Sequence, residues 1–325
     1  SGELPINGFH RTPEPPSMTA VAESYATTPD LDTLAASRVD ELPLATRFQL
    51  GAELTPIQRA FFDKHGFIVF AQVATAAEID ALDLAVRGIQ DRWLAEGRKK
   101  VFGIPLFVGR DHEGQPFIQR FAFTSCFSDV LRDFVLDARF EPVRRLVGED
   151  ARVGHREKDG LVVNRNLNVP GTQYKSLGWH TDGLRDLFYL RQIGPQLNVG
   201  FHFDKTTKAT GGLRILPGTH KQGIWKTLTH KPYFVDNTPD PAEIAVETMP
   251  GDLTVHDGRA WHRVEPSPFV GPESLRRTMY VPYLTDAYQP KDESSKTPPY
   301  HYLGMAARRV KRARFELRER LKARR

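Results

Sequence analysis

The segment LGWHTDG, residues 177–183, places a histidine and an aspartate two positions apart. The segment GDLTVHDGRAWH, residues 251–262, ends on another histidine about eighty residues later. Residues i and i+2 of a β-strand point to the same face of a sheet. If the first segment is extended, His180 and Asp182 can bind one metal ion together, with His262 as a third ligand from a facing strand.

The donor set of this hypothetical site is two imidazoles and one carboxylate. That combination forms the facial triad of non-haem Fe(II) oxygenases, which leaves coordination positions open for a co-substrate and for O2. A histidine and an aspartate two residues apart are also common as surface hydrogen-bond partners. The pair alone therefore does not establish a metal site, and the rest of the chain has to be considered.

Three further segments accompany the two histidine segments in a definite order. They are GGLRILPGTH at residues 211–220, PGDL at 250–253 and RRTMY at 276–280. Before them, LTPIQRAFFDKHGFIVF at 54–70 has the pattern of a helix followed by a strand. In this order the segments resemble the phytanoyl-CoA dioxygenase family of Fe(II)/2-oxoglutarate oxygenases, over about residues 54–290.

The resemblance implies a mainly β fold with flanking helices (α+β), with a double-stranded β-helix, or jelly-roll, as its core. The residues agree with this expectation. Residues 160–290 alternate short β-rich runs with glycine and proline, which is typical of an antiparallel barrel. Residues 76–86 carry apolar side chains at helical spacing after Thr75, a suitable N-cap. We expect the metal in the mouth of the barrel.

The resemblance also implies the cofactors, which are Fe(II), 2-oxoglutarate as co-substrate, and O2. His180, Asp182 and His262 would be the metal ligands and the catalytic residues. The distal carboxylate of 2-oxoglutarate needs a fixed cation, and a guanidinium binds a carboxylate through two parallel hydrogen bonds. Arg276 is our candidate and Arg277 the alternative. The two point to opposite faces of a strand, so only one can serve.

Several other residues are candidates for the site. His256 could be mistaken for the distal ligand, but the family often carries a histidine or an aromatic residue there, so we favour His262. Asn198 shares one strand face with His202, and Asn198 is a candidate contact for the cofactor. Trp179 is another, although it could equally pack in the core. On a strand, Asn164, Asn166 and Asn168 would share a face, and we favour a structural role for them.

The predicted activity is hydroxylation of an aliphatic C–H bond in a small or medium-sized metabolite, with release of succinate and CO2. Family relatives that halogenate carry a small residue in place of the carboxylate, so Asp182 argues against halogenation. Desaturation, ring closure and epimerisation remain open. The substrate could be a natural product, an amino acid or an acyl derivative. Residues 99–119 and 222–247, with their aromatic and basic side chains, are candidate gating segments.

Composition agrees with a globular enzyme. The chain has 325 residues, of which 40% are hydrophobic and 26% are charged. Its single cysteine, Cys126, rules out a disulfide framework within the chain. The sequence contains no apolar run long enough to span a bilayer and no signal-peptide pattern. We therefore expect a cytoplasmic protein with a small-molecule substrate and no membrane partner.

We predict three regions: an extended or partly disordered arm at residues 1–50, a single catalytic domain at 51–305, and a basic C-terminal helix at 306–325. Residues 308–325 carry ten Lys or Arg and two Glu, a net charge of +8, so the rest of the chain is at −3. Such a tail could bind nucleic acid or anionic lipid. We favour an amphipathic helix and expect no nucleic-acid partner. The alternative function is a non-catalytic jelly-roll ligand-binding protein whose tail docks to nucleic acid.

Overall fold

The computed structural model describes residues 31–170, 172, 174–187, 193–234, 236–299 and 301–302. The predicted C-terminal helix and the first thirty residues of the predicted arm lie outside the described residues. Six α-helices lie wholly within the described part: α1 Pro56–His65, α2 Ala76–Ala95, α3 Asp129–Val135, α4 Glu141–Arg144, α5 Leu184–Leu187 and α6 Ile224–His230. None of them combines the length and the apolar content that crossing a bilayer requires.

Fifteen strands occur in the described residues. In chain order they are β1 Arg47–Phe48, β2 Phe67–Phe70, β3 Lys100–Val101, β4 Ile104–Pro105, β5 Phe107–Arg110, β6 Pro116–Phe121, β7 Arg152–Val153, β8 Val162–Asn166, β9 Leu177–His180, β10 Gln196–His202, β11 Gly212–Ile215, β12 Ile244–Ala245, β13 Leu253–Asp257, β14 His262–Glu265 and β15 Arg276–Leu284.

The strands form one large and one smaller sheet, plus the short hairpin β3–β4. The large sheet has nine strands, in the order β1-β2-β13-β10-β15-β8-β6-β5, with β7 added at β15. The smaller sheet has the order β12-β11-β14-β9. All the pairings are antiparallel except that of β1 with β2. The mainly β architecture with flanking helices is as predicted.

The helices begin where local capping chemistry allows. Thr75 caps α2, and its hydroxyl accepts from the backbone N–H of Glu78, whose side chain in turn accepts from the N–H of Thr75. The predicted cap is therefore confirmed. Thr55 and Gln58 form the same reciprocal pair at α1. That helix ends at Gly66, which adopts the left-handed conformation at φ 76° and lets the chain turn directly into β2.

Strand β10 shows how the large sheet separates the core from the site. Leu197, Val199 and Phe201 point to the helical side and are buried, and the Phe201 ring lies 4.9 Å from the Phe134 ring of α3. Asn198 and His202 alternate with them, so they face the smaller sheet. The large sheet thus has an apolar face under the helices and a polar face that lines the interior.

Residues 47–48, which fall within the predicted arm, belong to the large sheet. Phe48 is 1% exposed and its ring lies 5.3 Å from the Phe61 ring, edge to face. Arg47 forms an ion pair of 2.5 Å with the fully buried Asp252. The boundaries of the three regions stay a prediction, but these two residues are tied to the sheet by pairing, packing and charge.

Candidate metal centre

The smaller sheet brings the two histidines of the predicted triad side by side. His180 ends β9 and His262 begins β14, and the two residues are paired across the strands. Asp182 follows His180 by two residues, and all three side chains are buried. One ligand atom from each residue lies within 4.8 Å of the others. Three donors from segments eighty residues apart therefore converge on one point and could hold a metal ion.

Local hydrogen bonds at Nδ1 leave the Nε2 atom of both imidazoles available to bind a metal. The Nδ1 atom of His180 lies 2.8 Å from the carbonyl oxygen of Gly178, and that of His262 lies 3.0 Å from the carbonyl oxygen of Ala260. Each Nδ1–H can donate there, which leaves the lone pair on Nε2. Burial lowers the pKa of His180 to about 4 and holds that of His262 well below its usual range. Both rings are therefore neutral near pH 7.

The Asp182 carboxylate is held at both oxygens. Arg185 Nη2 lies 2.8 Å from Oδ1, and the Asn198 side-chain amide donates to Oδ2 at 2.8 Å. Burial by itself would raise the pKa of the Asp182 carboxyl, but the Arg185 guanidinium and the neighbouring imidazoles together keep the pKa well below the usual range. Asp182 is therefore ionised. Asn198, predicted as a cofactor contact, lies at the site and touches the proposed ligand itself.

His256 also lies at the site, although we did not favour it as the distal ligand. Its ring centroid is 4.4 Å from that of His262, and its Nε2 lies 3.7 Å from Asp182 Oδ2. This distance is too long for a hydrogen bond. Both ring nitrogens are buried, and among the described residues neither has a hydrogen-bond partner. A buried imidazole without a partner next to three potential ligands fits a site built to receive a further group.

The structure distinguishes the two candidate arginines. Arg276 lies on the interior face of β15 and is 5% exposed. Within the described residues its buried Nε and Nη1 have no hydrogen-bond partner. Burial lowers its pKa to about 10, so it remains a cation near pH 7. Arg277 lies on the opposite face and pairs with Asp204 at 2.6 Å and with Asp83 at 3.1 Å. Of these two arginines, Arg276 is the one that points donors without a described partner to the interior.

Trp179 lies away from the convergence point. It precedes His180 on β9, so its side chain is on the other face of the strand. The indole is fully buried in a small cluster with Trp261 and Leu216, and Nε1 donates to the carbonyl oxygen of Thr238 at 2.9 Å. Of the two roles predicted for Trp179, this placement favours the core role. Its assignment as a cofactor contact stays a prediction.

His202 and two of the three asparagines line the interior and form hydrogen bonds there, and the structural role favoured for the asparagines stays a prediction. The ring nitrogens of His202 lie 3.0 and 3.2 Å from the hydroxyls of Thr254 and Thr248. Burial lowers the pKa of His202 to about 3, so the ring is neutral. Asn164 accepts a hydrogen bond from the Tyr174 hydroxyl at 2.9 Å, and the Asn166 amide lies 3.4 Å from the Tyr174 carbonyl oxygen.

Each predicted gating segment contains an aromatic side chain that stacks on another ring. In the second, Phe234 stacks on the His180 ring at 4.7 Å between centroids, and the Tyr233 hydroxyl donates to the carbonyl oxygen of Thr181. Phe234 has a positive φ of 60°, which is uncommon for a bulky residue. In the first, Phe107 stacks on Tyr174 at 5.2 Å.

The most prominent feature that the sequence analysis missed is a run of alternating charges behind Asp182, buried except for the half-buried Arg185. Arg185, Asp159 and Arg120 follow one another at salt-bridge distances. Arg185 is three residues from Asp182, and this spacing on a helical turn was the one available signal. Asp159 and Arg120 lie far away along the chain and gave no signal.

Comparisons with known proteins agree with the geometry. A family model described as phytanoyl-CoA dioxygenase matches residues 62–268, more than half of the chain. No curated protein matches. The chain is similar to the solved structure of EctD from S. alaskensis with 2-oxoglutarate and 5-hydroxyectoine, with 18% identity and a TM-score of 0.52 over 74% of this chain and 81% of that one.

Two further structures show the same likeness. The epimerase SnoN in complex with Fe3+, alpha ketoglutarate and nogalamycin RO has 18% identity and a TM-score of 0.50, over 72% of this chain and 85% of that one. EvdMO1 has 17% identity and a TM-score of 0.51 over 71% of this chain. The present chain covers 50% of the length of the EvdMO1 chain. At these identities the likeness concerns the fold, and it confirms the predicted double-stranded β-helix.

Proposed function

Since this chain belongs to the phytanoyl-CoA dioxygenase family, we propose that it is an Fe(II)- and 2-oxoglutarate-dependent oxygenase that hydroxylates an aliphatic C–H bond of a small or medium-sized metabolite. The observation that carries the proposal is the convergence of His180, Asp182 and His262 within 4.8 Å. Two neutral imidazoles and one ionised carboxylate are the donors of the non-haem Fe(II) facial triad. SnoN and EctD, of the same fold, were crystallised with alpha ketoglutarate and 2-oxoglutarate.

Each residue at the site has a definite task under this proposal. His180, Asp182 and His262 hold the iron, and Asn198 helps to orient Asp182. Arg276 binds the distal carboxylate of 2-oxoglutarate with donors that are otherwise unused. When bound, Fe(II) would activate O2, which is the oxidant: one oxygen atom would enter succinate, released from 2-oxoglutarate together with CO2, and the other would enter the substrate C–H bond. Burial of the ligands keeps water away and keeps both imidazoles neutral.

Hydroxylation is the reaction type that we propose within the family. Asp182 occupies the ligand position that a halide would need, which supports oxygen transfer over halogenation. SnoN is an epimerase, so the same fold also serves other outcomes. The aromatic ring of Phe234, which stacks on His180, supports a substrate with an apolar surface. We also propose a cytoplasmic location, which the single cysteine supports.

The test measures metal binding and turnover separately. Alanine variants of His180, Asp182 and His262 should each lose Fe(II) binding and succinate release, and the His256→Ala variant should keep Fe(II). Succinate is measured with Fe(II), 2-oxoglutarate and a pool of candidate metabolites, with bromide present. If only the His256 variant lost Fe(II), our choice of ligand would be wrong. A brominated product would reject hydroxylation, and iron binding without any succinate would favour the ligand-binding alternative.

A further inference from the structure

We propose that Arg185 is a positioning residue of the metal centre, which holds one oxygen of Asp182 so that the other oxygen alone is offered to the ion. This inference rests on the proposed function and deepens it. It concerns a residue outside the predicted triad and outside the predicted co-substrate anchor. The inference is based on the different partners of the two carboxylate oxygens of Asp182.

The two oxygens of Asp182 point toward different surroundings. Oδ1 lies 2.8 Å from Nη2 of Arg185, which sits three residues later in α5. Oδ2 lies 3.7 Å from Nε2 of His262, on the side where the histidines converge. The Asn198 amide also contacts Oδ2, at 2.8 Å. An oxygen that accepts one hydrogen bond keeps a second lone pair, so Oδ2 can still bind a metal ion on the side of the histidines, while Arg185 holds Oδ1 on the other side.

Arg185 is itself held by Asp159, on the side away from Asp182. Its Nη1 lies 3.4 Å from Oδ2 of Asp159, and Nη2 of Arg120 lies 2.7 Å from the same oxygen. Charge therefore alternates from Arg120 through Asp159 and Arg185 to Asp182. Asp159 and Asp182 are almost fully buried, and Arg120 is 9% exposed. Buried charges are stable only when they are paired, so each member restricts the position of the next.

Arg185 has two opposing effects on metal binding. It draws electron density from the carboxylate, which weakens Asp182 as a donor. It also fixes the orientation of the carboxylate and keeps Oδ1 from competing for positions at the ion. We expect the effect on carboxylate orientation to be larger than the loss of donor strength, because loss of a partner that orients a ligand typically lowers metal affinity about 10- to 100-fold.

The test compares Arg185→Met with Arg185→Lys and with a matched control, Arg120→Met. The control removes the charge of the series that lies farthest from Asp182. The dissociation constant for Co(II) should rise about 10-fold or more in Arg185→Met, and Arg185→Lys should restore most of the affinity. Arg120→Met should keep the affinity of the wild type, because Asp159 still has Arg185 at 3.4 Å and His301 at 3.9 Å as partners. Anaerobic Fe(II) with 2-oxoglutarate should give a visible charge-transfer absorption that shifts only in Arg185→Met. Thermal melting of all the variants reports the purely structural effect.

Equal losses of melting temperature in Arg185→Met and Arg120→Met, with Co(II) affinity and absorption as in the wild type, would show that Arg185 is only structural. Tighter Co(II) binding in Arg185→Met would also overturn the proposal. If Arg185→Met does not fold, Arg185→Gln replaces it with the same expectations. A wild-type protein that binds Co(II) but gives no absorption with 2-oxoglutarate would reject the proposed function, while the Co(II) comparison still decides the role of Arg185.

Discussion

At the scale of single residues, the neighbours Arg276 and Arg277 show how strand position decides the role of a charge. They have the same side chain and differ by one position on β15. Arg277 faces the helices, where Asp204 and Asp83 neutralise it. Arg276 faces the interior with unused donors among the described residues. A buried cation with free donors fits an anionic ligand that carries planar carboxylate groups.

This difference predicts opposite results for two alanine variants. Arg276→Ala should raise the dissociation constant for 2-oxoglutarate at least about 30-fold, because a buried charge pair is worth on the order of 2–5 kcal/mol. Arg277→Ala should leave that constant nearly unchanged and lower the free energy of unfolding, because Asp204 and Asp83 lose their partner. Calorimetry on Ni(II)-loaded protein measures the first quantity, and urea unfolding the second. The reverse ranking would assign the co-substrate to Arg277.

At the scale of elements, the segment that carries Phe234 forms backbone hydrogen bonds with the edge of β9. The Phe234 N–H donates to the carbonyl oxygen of Trp179 at 2.8 Å, and the Trp179 N–H donates to that of Asp236 at 2.7 Å. Gly178 allows this approach, because a Cβ there would lie 2.7 Å from the Phe234 carbonyl oxygen. The segment thereby holds the Phe234 ring against His180.

Gly178→Ala should therefore displace this segment. The new methyl group meets backbone atoms that cannot move alone, so we expect a loss of about 1–3 kcal/mol in the free energy of unfolding. Gly88→Ala is the matched control, since no atom lies within 4 Å of its added Cβ on α2, and helix propensity predicts a gain of up to about 1 kcal/mol. Urea unfolding measures both changes, and hydrogen exchange at the Phe234 amide reports the displacement. Wild-type stability and exchange in Gly178→Ala would contradict this account.

At the scale of the whole molecule, the large sheet lines the site with one face and packs against the helices with the other. Its edge is completed by β1, which pairs with β2 and buries Phe48 against Phe61. The sheet thus includes residues that composition alone places in an extended arm. The part of residues 1–50 that the structure describes, from residue 31 onward, contributes to the same core as the catalytic domain.

Phe48→Ala tests whether this contribution matters for stability. If β1 is part of the folded domain, the variant should lose about 3–5 kcal/mol of unfolding free energy, as buried phenylalanines do. Leu84→Ala on α2 is the control, because Leu84 is 66% exposed and surface changes stay within about 0.5 kcal/mol. Unchanged stability of Phe48→Ala in urea would instead support residues 1–50 as an independent arm.

The sequence by itself determined the features that depend on local spacing. Two-residue alternation put Asn198 and His202 on one face of β10, and it separated Arg276 from Arg277. Capping chemistry set the start of α2 at Thr75. The ordered segments identified the family and with it the double-stranded β-helix. Each of these follows from strand or helix periodicity, or from motifs within a few residues, and needs no knowledge of distant neighbours.

Tertiary structure alone decided which distant groups meet. It placed Asp159 behind Arg185, gave Arg277 its acidic partners, and set Phe234 on the ring of His180. It also set the 3.7 Å distance between His256 and Asp182, which spacing along the chain did not fix. Such contacts join residues from different strands and loops, and their distances depend on sheet register and packing. No local pattern encodes that register, so these partners could be seen only in the folded chain.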